Sequence, residues 1–251
     1  MAKREIPEIN AGSMADIAFL LLIFFLVTTT MDRDKAYPRD IPKKVLVVTD
    51  PVPVEERNIL AIRANNQNQL MVRDELMNDP DEISDRILEF YRTNEKSNDL
   101  QSPFPLYSRA SKDEIRANRM KVEDELDELE NMSNVEPDII QFKEAQLKEW
   151  EKKERAMRLY GRAELPEIHS KAHIRIEVQT KTGYGLFAKI QSEIEEAIFE
   201  LRDDAANDLF GEGYGTIVTR YNSDRDNVDL EKLSLLKILY PDRIIEVKPK
   251  N

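Results

Sequence analysis

The sequence contains no cysteine, and it has seven glycines and two histidines among its 251 residues. The absence of cysteine excludes disulfide frameworks and thiolate metal sites, and it fits a cytoplasmic or a periplasmic location. So few glycines and histidines leave little material for a phosphate-binding loop or a histidine-rich metal centre. We therefore predict that the chain is not an enzyme and that it uses neither a cofactor nor a metal ion.

The sequence also lacks an excess of positive charge. Its 49 Asp and Glu residues outnumber its 37 Lys and Arg residues, which gives a net charge of −12. Binding to nucleic acid requires a basic surface that displaces counterions from phosphates. We therefore expect no nucleic-acid partner.

One long apolar segment stands out in this hydrophilic chain, at residues 14–31, and no polar residue occurs in it from Ile17 to Val27. With its flanks it offers about 20 residues, enough to cross a bilayer core at about 1.5 Å per residue. This pattern predicts a single transmembrane helix. A cleavable signal peptide is less favoured, because residues 28–31 lack a convincing small-residue cleavage site and Asp16 interrupts the start of the apolar core.

Asp16 is the one charged residue of this segment. It can act as a helix N-cap or first-turn carboxylate, stabilised by the helix dipole. Alternatively, it binds a proton or an ion and alternates between charged and neutral forms against partner helices. A charge inside a spanning helix costs about 2.5–3.5 kcal/mol at mid-membrane, which makes such a residue a functional candidate. The second role needs a multi-helix partner, because one helix cannot enclose Asp16.

Three consecutive hydroxyls, those of Thr28, Thr29 and Thr30, lie at the far end of the segment. They can donate hydrogen bonds back to the preceding helical turn. They can also line a hydrated path for the ion.

Beyond the apolar segment, four prolines predict an extended linker up to residue 57. Alternating apolar residues then predict a β-hairpin over 58–77, with its turn at 65–68, and an amphipathic helix follows at 81–92. Residues 95–110 are expected to form a loop. Two highly charged helices are predicted at about 111–132 and 138–160; they form either a solvated hairpin or a docking surface for another protein.

The remaining residues return to the pattern of a compact domain. A half-buried strand is predicted at 173–179, and a helix begins near Gly183 with an apolar stripe from Phe187 to Leu201. A shorter helix ends before Pro241, and residues 244–247 form a last strand. This order predicts an α+β sheet with helices on one face.

Charge alone favours one orientation of the transmembrane helix. Lys3 and Arg4 precede the segment, whereas five basic residues follow it closely, at positions 33, 35, 39, 43 and 44. The positive-inside rule therefore places the C-terminal side in the cytoplasm. The family resemblance described next implies the opposite orientation.

The N-terminal residues resemble those of ExbD/TolR biopolymer transport proteins. The resemblance rests on Pro7-Glu8-Ile9-Asn10, on Asp16 and on the Leu-Leu-Leu-Ile-Phe-Phe run that follows. The order of the linker, the hairpin, the first helix, the later strand and the closing strand is similar too. Many family members have a proline shortly before the aspartate, where this chain has residues 11–14, Ala-Gly-Ser-Met.

The resemblance implies a stator subunit of a proton-driven motor in the inner membrane, with a cytoplasmic N-terminus and a periplasmic domain. It implies a homodimer inside a pentameric ExbB/TolQ-like channel, with Asp16 as the carboxylate that carries the proton. The folded domain would act on a TonB-like energy transducer for transport across the outer membrane. A TolR-like role in envelope maintenance, or a membrane-anchored scaffold without ion coupling, is the alternative.

The predicted fold class is α+β: one N-terminal transmembrane helix and a periplasmic α+β domain with a charged helical-hairpin insertion. The predicted boundaries are a cytoplasmic tail at 1–13, the transmembrane helix at 14–31, the linker at 32–57, the first part of the domain at 58–94, the insertion at 95–170 and the second part at 171–251.

Overall fold

The computed structural model describes residues 18–23, 54–132, 135–179 and 182–247. The chain divides into two units, Met1–Pro51 and Val52–Asn251, and the elements below belong to the second. The strands are β1 (Ile59–Ala64), β2 (Leu70–Val72), β3 (Glu75–Met77), β4 (Tyr107–Ser111), β5 (Glu164–Ile168), β6 (His173–Val178) and β7 (Ile244–Val247). The α-helices are α1 (Ile83–Arg92), α2 (Lys112–Asn131), α3 (Pro137–Tyr160), α4 (Tyr184–Phe210), α5 (Tyr214–Asp224) and α6 (Asn227–Leu239).

The main sheet has five strands in the order β3-β2-β1-β6-β7. Strands β1, β2 and β3 pair antiparallel, as the predicted hairpin requires, with Ile62 opposite Val72. Strand β6 returns beside β1 in parallel, so that Ala61 pairs with Arg175 although 114 positions separate them in sequence, and β7 pairs in parallel with β6. The α+β fold class is therefore confirmed.

The turn of the hairpin is built by asparagine side chains. The Oδ1 atom of Asn65 accepts hydrogen bonds from the backbone N–H groups of Gln67 and Gln69, both at 2.9 Å. Asn68 adopts a left-handed conformation (φ 59°), and its Oδ1 accepts from the N–H of Gly183 at 2.8 Å. A Cβ at Gly183 would lie 3.3 Å from that oxygen. This close approach fixes the start of α4 against the hairpin.

One face of the sheet is covered by helices. Leu60 and Ile62 of β1 and Ile174 and Ile176 of β6 are buried on this face. They belong to a single apolar cluster with residues of α1 (Ile83, Ile87, Phe90) and α4 (Ile190, Ile194, Leu201). The predicted stripe of α4 is thus confirmed as the face that packs on the core, and its helix continues beyond that stripe to Phe210.

The two charged helices form an antiparallel hairpin, within one or two residues of the predicted bounds. A capping box begins α2, in which the Ser111 hydroxyl accepts from the N–H of Glu114 and the Glu114 carboxylate accepts from the N–H of Ser111. Ion pairs join Glu125 to Lys143 (2.5 Å) and Arg119 to Glu154 (3.0 Å). The hairpin is not wholly solvated, because Ala156 and Met157 of α3 are buried in the main core.

Two elements differ from the sequence-based expectation. The loop predicted over 95–110 ends in strand β4, which pairs antiparallel with β5 to form a two-stranded ribbon at the base of the hairpin. Helix α5 was also not predicted, although Tyr214, Ile217 and Tyr221 recur in it at helical spacing; the helix is short, and Ile217 is its one buried side chain. The domain boundaries stated above stay predictions.

Candidate functional site

Asp16, which is predicted to carry the proton, lies outside the described residues, and so do the three threonines that can line a hydrated path, Thr28, Thr29 and Thr30. Next to Asp16, residues 18–23 are helical, and the side chains of Phe19 to Ile23 are between 43% and 61% exposed. Within the described parts of the chain, no helix is both long enough and apolar enough to span a membrane. The proton-carrying role of Asp16 stays a prediction.

The described residues offer a different candidate site, on the face of the sheet opposite the helices. Here the outward positions of β1 and β6 carry Ile59, Ala61, Arg63, Arg175 and Glu177. The charged side chains among them are 29–38% exposed. This face borders a cleft of about 790 Å³, which is rimmed by residues 55–57 and 101–103.

Three arginines surround Ala61 on this face. Arg175 pairs with Ala61 across the sheet, Arg63 follows it by two positions on β1, and the N–H of Arg73 donates to the Ala61 carbonyl at 2.6 Å. Ala61 is only 5% exposed, although none of the described helices covers this face. The three arginines and Ala61 therefore line the same cleft.

Two carboxylates partly neutralise these arginines. Arg63 forms ion pairs with Glu177 (Nε–Oε2, 3.1 Å) and with Asp74 (Nη1–Oδ1, 3.0 Å). Arg175 pairs with the second oxygen of the same Glu177 (Nε–Oε1, 2.6 Å). Glu177 is therefore shared between two guanidinium groups.

Arg73 has no ion-pair partner among the described residues. One terminal nitrogen donates to the Pro103 carbonyl at 2.9 Å, and the guanidinium carbon lies 4.6 Å from the ring centre of Phe104. Its Nε is shielded from solvent and has no hydrogen-bond partner. Burial lowers the pKa of Arg73, while the charges of Glu89 and Glu75 act in the opposite direction. This side chain is a half-buried cation that still has hydrogen-bonding capacity.

A second charged cluster joins α5 to α6. Arg220 binds both oxygens of Asp229 at 2.6 Å and both oxygens of Glu212 at 2.9 and 3.0 Å, and Lys232 contacts Glu212 at 2.6 Å. Asp229 is 1% exposed. Hydrogen bonds from Arg220 and then Lys232 lower the pKa of Glu212 to about 2, and a hydrogen bond from Arg220 lowers that of Asp229. Every charge here has a partner within the cluster, so its role is to hold two helices together.

In the described ranges, no three His, Asp or Glu side chains are placed to hold a metal ion together. Sequence reasoning did not single out the arginine cluster. Its only signal in the sequence is that Arg63 and Arg175 occupy outward positions in two strands of alternating apolar and polar residues. That signal indicates a shared site only once β1 and β6 are known to be neighbours.

The sequence matches the model of a protein family described as the biopolymer transport protein ExbD/TolR, over residues 2–201. No curated protein and no solved structure matches the chain. The family match includes the apolar segment with Asp16, both parts of the sheet up to β6, the helical hairpin and most of α4. The chain belongs to the ExbD/TolR family of biopolymer transport proteins.

Proposed function

We propose that the chain is the stator subunit of an inner-membrane motor that is driven by the proton-motive force. In this proposal it energises TonB-dependent transport across the outer membrane and catalyses no chemical reaction. One observation above all supports the proposal. This chain belongs to the ExbD/TolR family, and it carries a single carboxylate, Asp16, in its one long apolar segment. Membership of the family supports a role in energy transduction, and Asp16 supplies the only titratable group of that segment.

The proposed arrangement places residues 14–31 across the inner membrane, with the N-terminus in the cytoplasm and the folded unit in the periplasm. Two copies of the chain would stand side by side within a pentameric ExbB/TolQ-like channel. That partner provides the polar and apolar surroundings that a single helix cannot provide for Asp16. The threonines at 28–30 would lie at the periplasmic end of the path.

The proposed mechanism follows from the two charge states of Asp16. The ionised carboxylate prefers a hydrated sector of the surrounding channel, because transfer of a charge into hydrocarbon is unfavourable. The protonated form can face an apolar wall. Entry of a proton from the periplasm and its release inward therefore bias the direction in which the helices turn. A charge that crosses a potential of 100 mV releases about 2.3 kcal/mol, so that substantial work needs several protons.

Replacement of the transmembrane segment tests this proposal against the scaffold alternative. Under the scaffold alternative, the helix only anchors the folded unit. An unrelated apolar helix of equal length at residues 14–31 should then preserve function. We expect instead that this replacement abolishes energy-dependent uptake, while the protein remains in the membrane at an unchanged level. Uptake at the original level in the replaced protein would favour the scaffold and overturn the proposal.

A TolR-like role in envelope maintenance is the other candidate within the family. Recovery of the chain with sedimented peptidoglycan, together with loss of envelope integrity on deletion, would favour that role. Loss of uptake with an intact envelope would favour the TonB-linked role.

A further inference from the structure

We propose that the cleft on the open face of the sheet is a binding site for a single carboxylate group, held by Arg73 and Arg175 above Ala61. We call this region the arginine cleft; the charged residues that line it are Glu55, Glu56, Arg57, Arg63, Arg73, Asp74 and Arg175, and Glu177 pairs with two of the arginines. The proposal does not rest on the proton-carrying role of Asp16, because it uses contacts within the folded unit alone.

On the inner wall of the cleft, one cation, Arg73, forms no ion pair with a described carboxylate. Three guanidinium groups lie on this wall, and two carboxylates, those of Asp74 and Glu177, form ion pairs with two of them. Arg73 forms an ion pair with neither; it contacts a carbonyl and an aromatic ring, and the nearby charges of Glu75 and Glu89 act on it without lining the cleft. A half-buried cation is stabilised by a counterion, since burial removes part of its hydration. A bound carboxylate would give Arg73 the direct ion-pair partner that it lacks among the described residues.

Hydrogen-bonding capacity is available at the same place. Arg73 uses one terminal nitrogen, and within the described residues its other terminal nitrogen and both of those of Arg175 have no acceptor. A guanidinium group presents its N–H donors in a planar fork that matches the two oxygens of a carboxylate. Arg63 and Arg175 each already form ion pairs with carboxylates of the chain, through one oxygen of each carboxylate.

The outer rim restricts the ligand to one negative charge. Glu55 and Glu56 line the cleft there, beside Arg57, whose Nε lies 3.5 Å from Glu55. These acidic groups would repel a polyanion and offset the attraction of a dianionic phosphate. Ile59 and Ala61 give the floor an apolar character. The chemistry favours one carboxylate on a neutral or apolar body.

The size of the cleft admits more than a small acid. Its volume of about 790 Å³ falls within the range of about 300–1,000 Å³ that is usual for sites of small organic ligands. The carboxylate could be supplied by a small organic acid or by the C-terminal end of a peptide chain. Both share the group that the arginines recognise, and the experiment below separates them.

The test uses the full-length protein in detergent micelles and ligand-observed NMR titration with four probes. The probes are propionate, an N-acetylated alanine tripeptide with a free carboxylate, the same tripeptide as its C-terminal amide, and inorganic phosphate. We expect the free-acid tripeptide to bind at least about tenfold more tightly than its amide, which corresponds to the loss of one charge-assisted interaction. Phosphate should bind no more tightly than the tripeptide.

Substitutions connect the binding to the cleft. Arg73→Gln removes the unpaired charge and should weaken binding of the tripeptide about tenfold. Arg175→Gln gives a second variant in case the first disturbs the turn in which Arg73 has a positive φ of 55°. The matched control is Arg92→Gln on α1, whose guanidinium pairs with Glu200 and Asp204 outside the cleft. It should bind the tripeptide as the unchanged protein does.

The outcomes distinguish the sources and can contradict the proposal. Tighter binding of the tripeptide than of propionate supports a chain end as the ligand, and equal binding supports a small acid. Equal binding of acid and amide would overturn the proposal, as would tighter binding of phosphate. Normal binding of the tripeptide by both Arg73→Gln and Arg175→Gln, with unchanged circular dichroism, would also overturn it. So would the absence of binding by any probe because a second copy of the chain already closes the cleft.

Discussion

Asp16→Asn is expected to abolish energy-dependent uptake while the protein still reaches the membrane. Asparagine keeps the size and polarity of the aspartate side chain, but its amide group does not ionise. The helix can therefore still insert, whereas the alternation between two charge states is lost. If Asp16 were only a helix cap, the effect would be small, because asparagine caps helices about as well as aspartate does.

Uptake of a transported compound should be measured in cells that lack the native chain and carry either variant. Asp16→Glu is the matched control, since it keeps a titratable carboxyl group one methylene further from the backbone, and it should retain part of the activity. Normal uptake with Asp16→Asn would show that ionisation at this position is not required.

Asp229→Asn is expected to destabilise the folded unit by about 2 kcal/mol. Asp229 is buried and accepts two hydrogen bonds from Arg220. Loss of one member of a fully buried pair costs about 3–5 kcal/mol. We expect a smaller value here, because the Arg220 side chain is 39% exposed and can regain water.

The same pair gives a pH dependence with a definite sign. The folded protein holds the pKa of Asp229 below its usual range and that of Glu212 at about 2. Groups whose pKa is lower in the folded state stabilise the fold above the pKa of the unfolded chain, which is about 4 for these residues. This contribution is lost as the pH falls from about 4 toward 2.

Urea unfolding of the full-length protein, followed by circular dichroism at several pH values, measures both effects. The free energy of unfolding should fall less steeply with acid in Asp229→Asn than in the unchanged protein. Asp204→Asn is the control: its ion pair with Arg92 is equally short, at 2.6 Å, but its side chain is 66% exposed. Exposed pairs contribute about 0–1 kcal/mol, so equal losses in the two variants would contradict our interpretation of the cluster.

Most of the secondary structure could be predicted, because burial on one face leaves a periodic pattern in the sequence. Leu60, Ile62 and Ala64 alternate along β1, and Ile190, Ile194 and Leu201 recur along α4 at helical spacing. The strong start signals were equally informative. Gly183, near which a helix was predicted to begin, directly precedes α4.

The ribbon of β4 and β5 could not be predicted, since nothing in either segment alone indicates its partner. Tyr107 pairs with Ile168 across 61 positions, with the whole helical hairpin between them. Strand β4 is short and mostly polar, and β5 contains Pro166. Such pairs are specified by the surrounding structure rather than by local propensity.

The arginine cleft could not be predicted from the sequence for the same reason. Arg63 and Arg73 lie within the predicted hairpin, but Arg175 follows Arg73 by 102 positions, and only the parallel pairing of β1 with β6 brings it beside Ala61. Asp16 presents the opposite case. Its local context and the family to which the chain belongs made it a candidate, and the described residues do not include it.

Proton flux through the assembled complex tests the central claim most directly. The chain would be purified with its channel partner, reconstituted into liposomes that contain a pH-sensitive dye, and exposed to an imposed proton gradient. We predict acidification of the interior with the unchanged protein, little or none with Asp16→Asn, and partial flux with Asp16→Glu. Equal flux with Asp16→Asn and the unchanged protein would contradict the claim that Asp16 carries the proton.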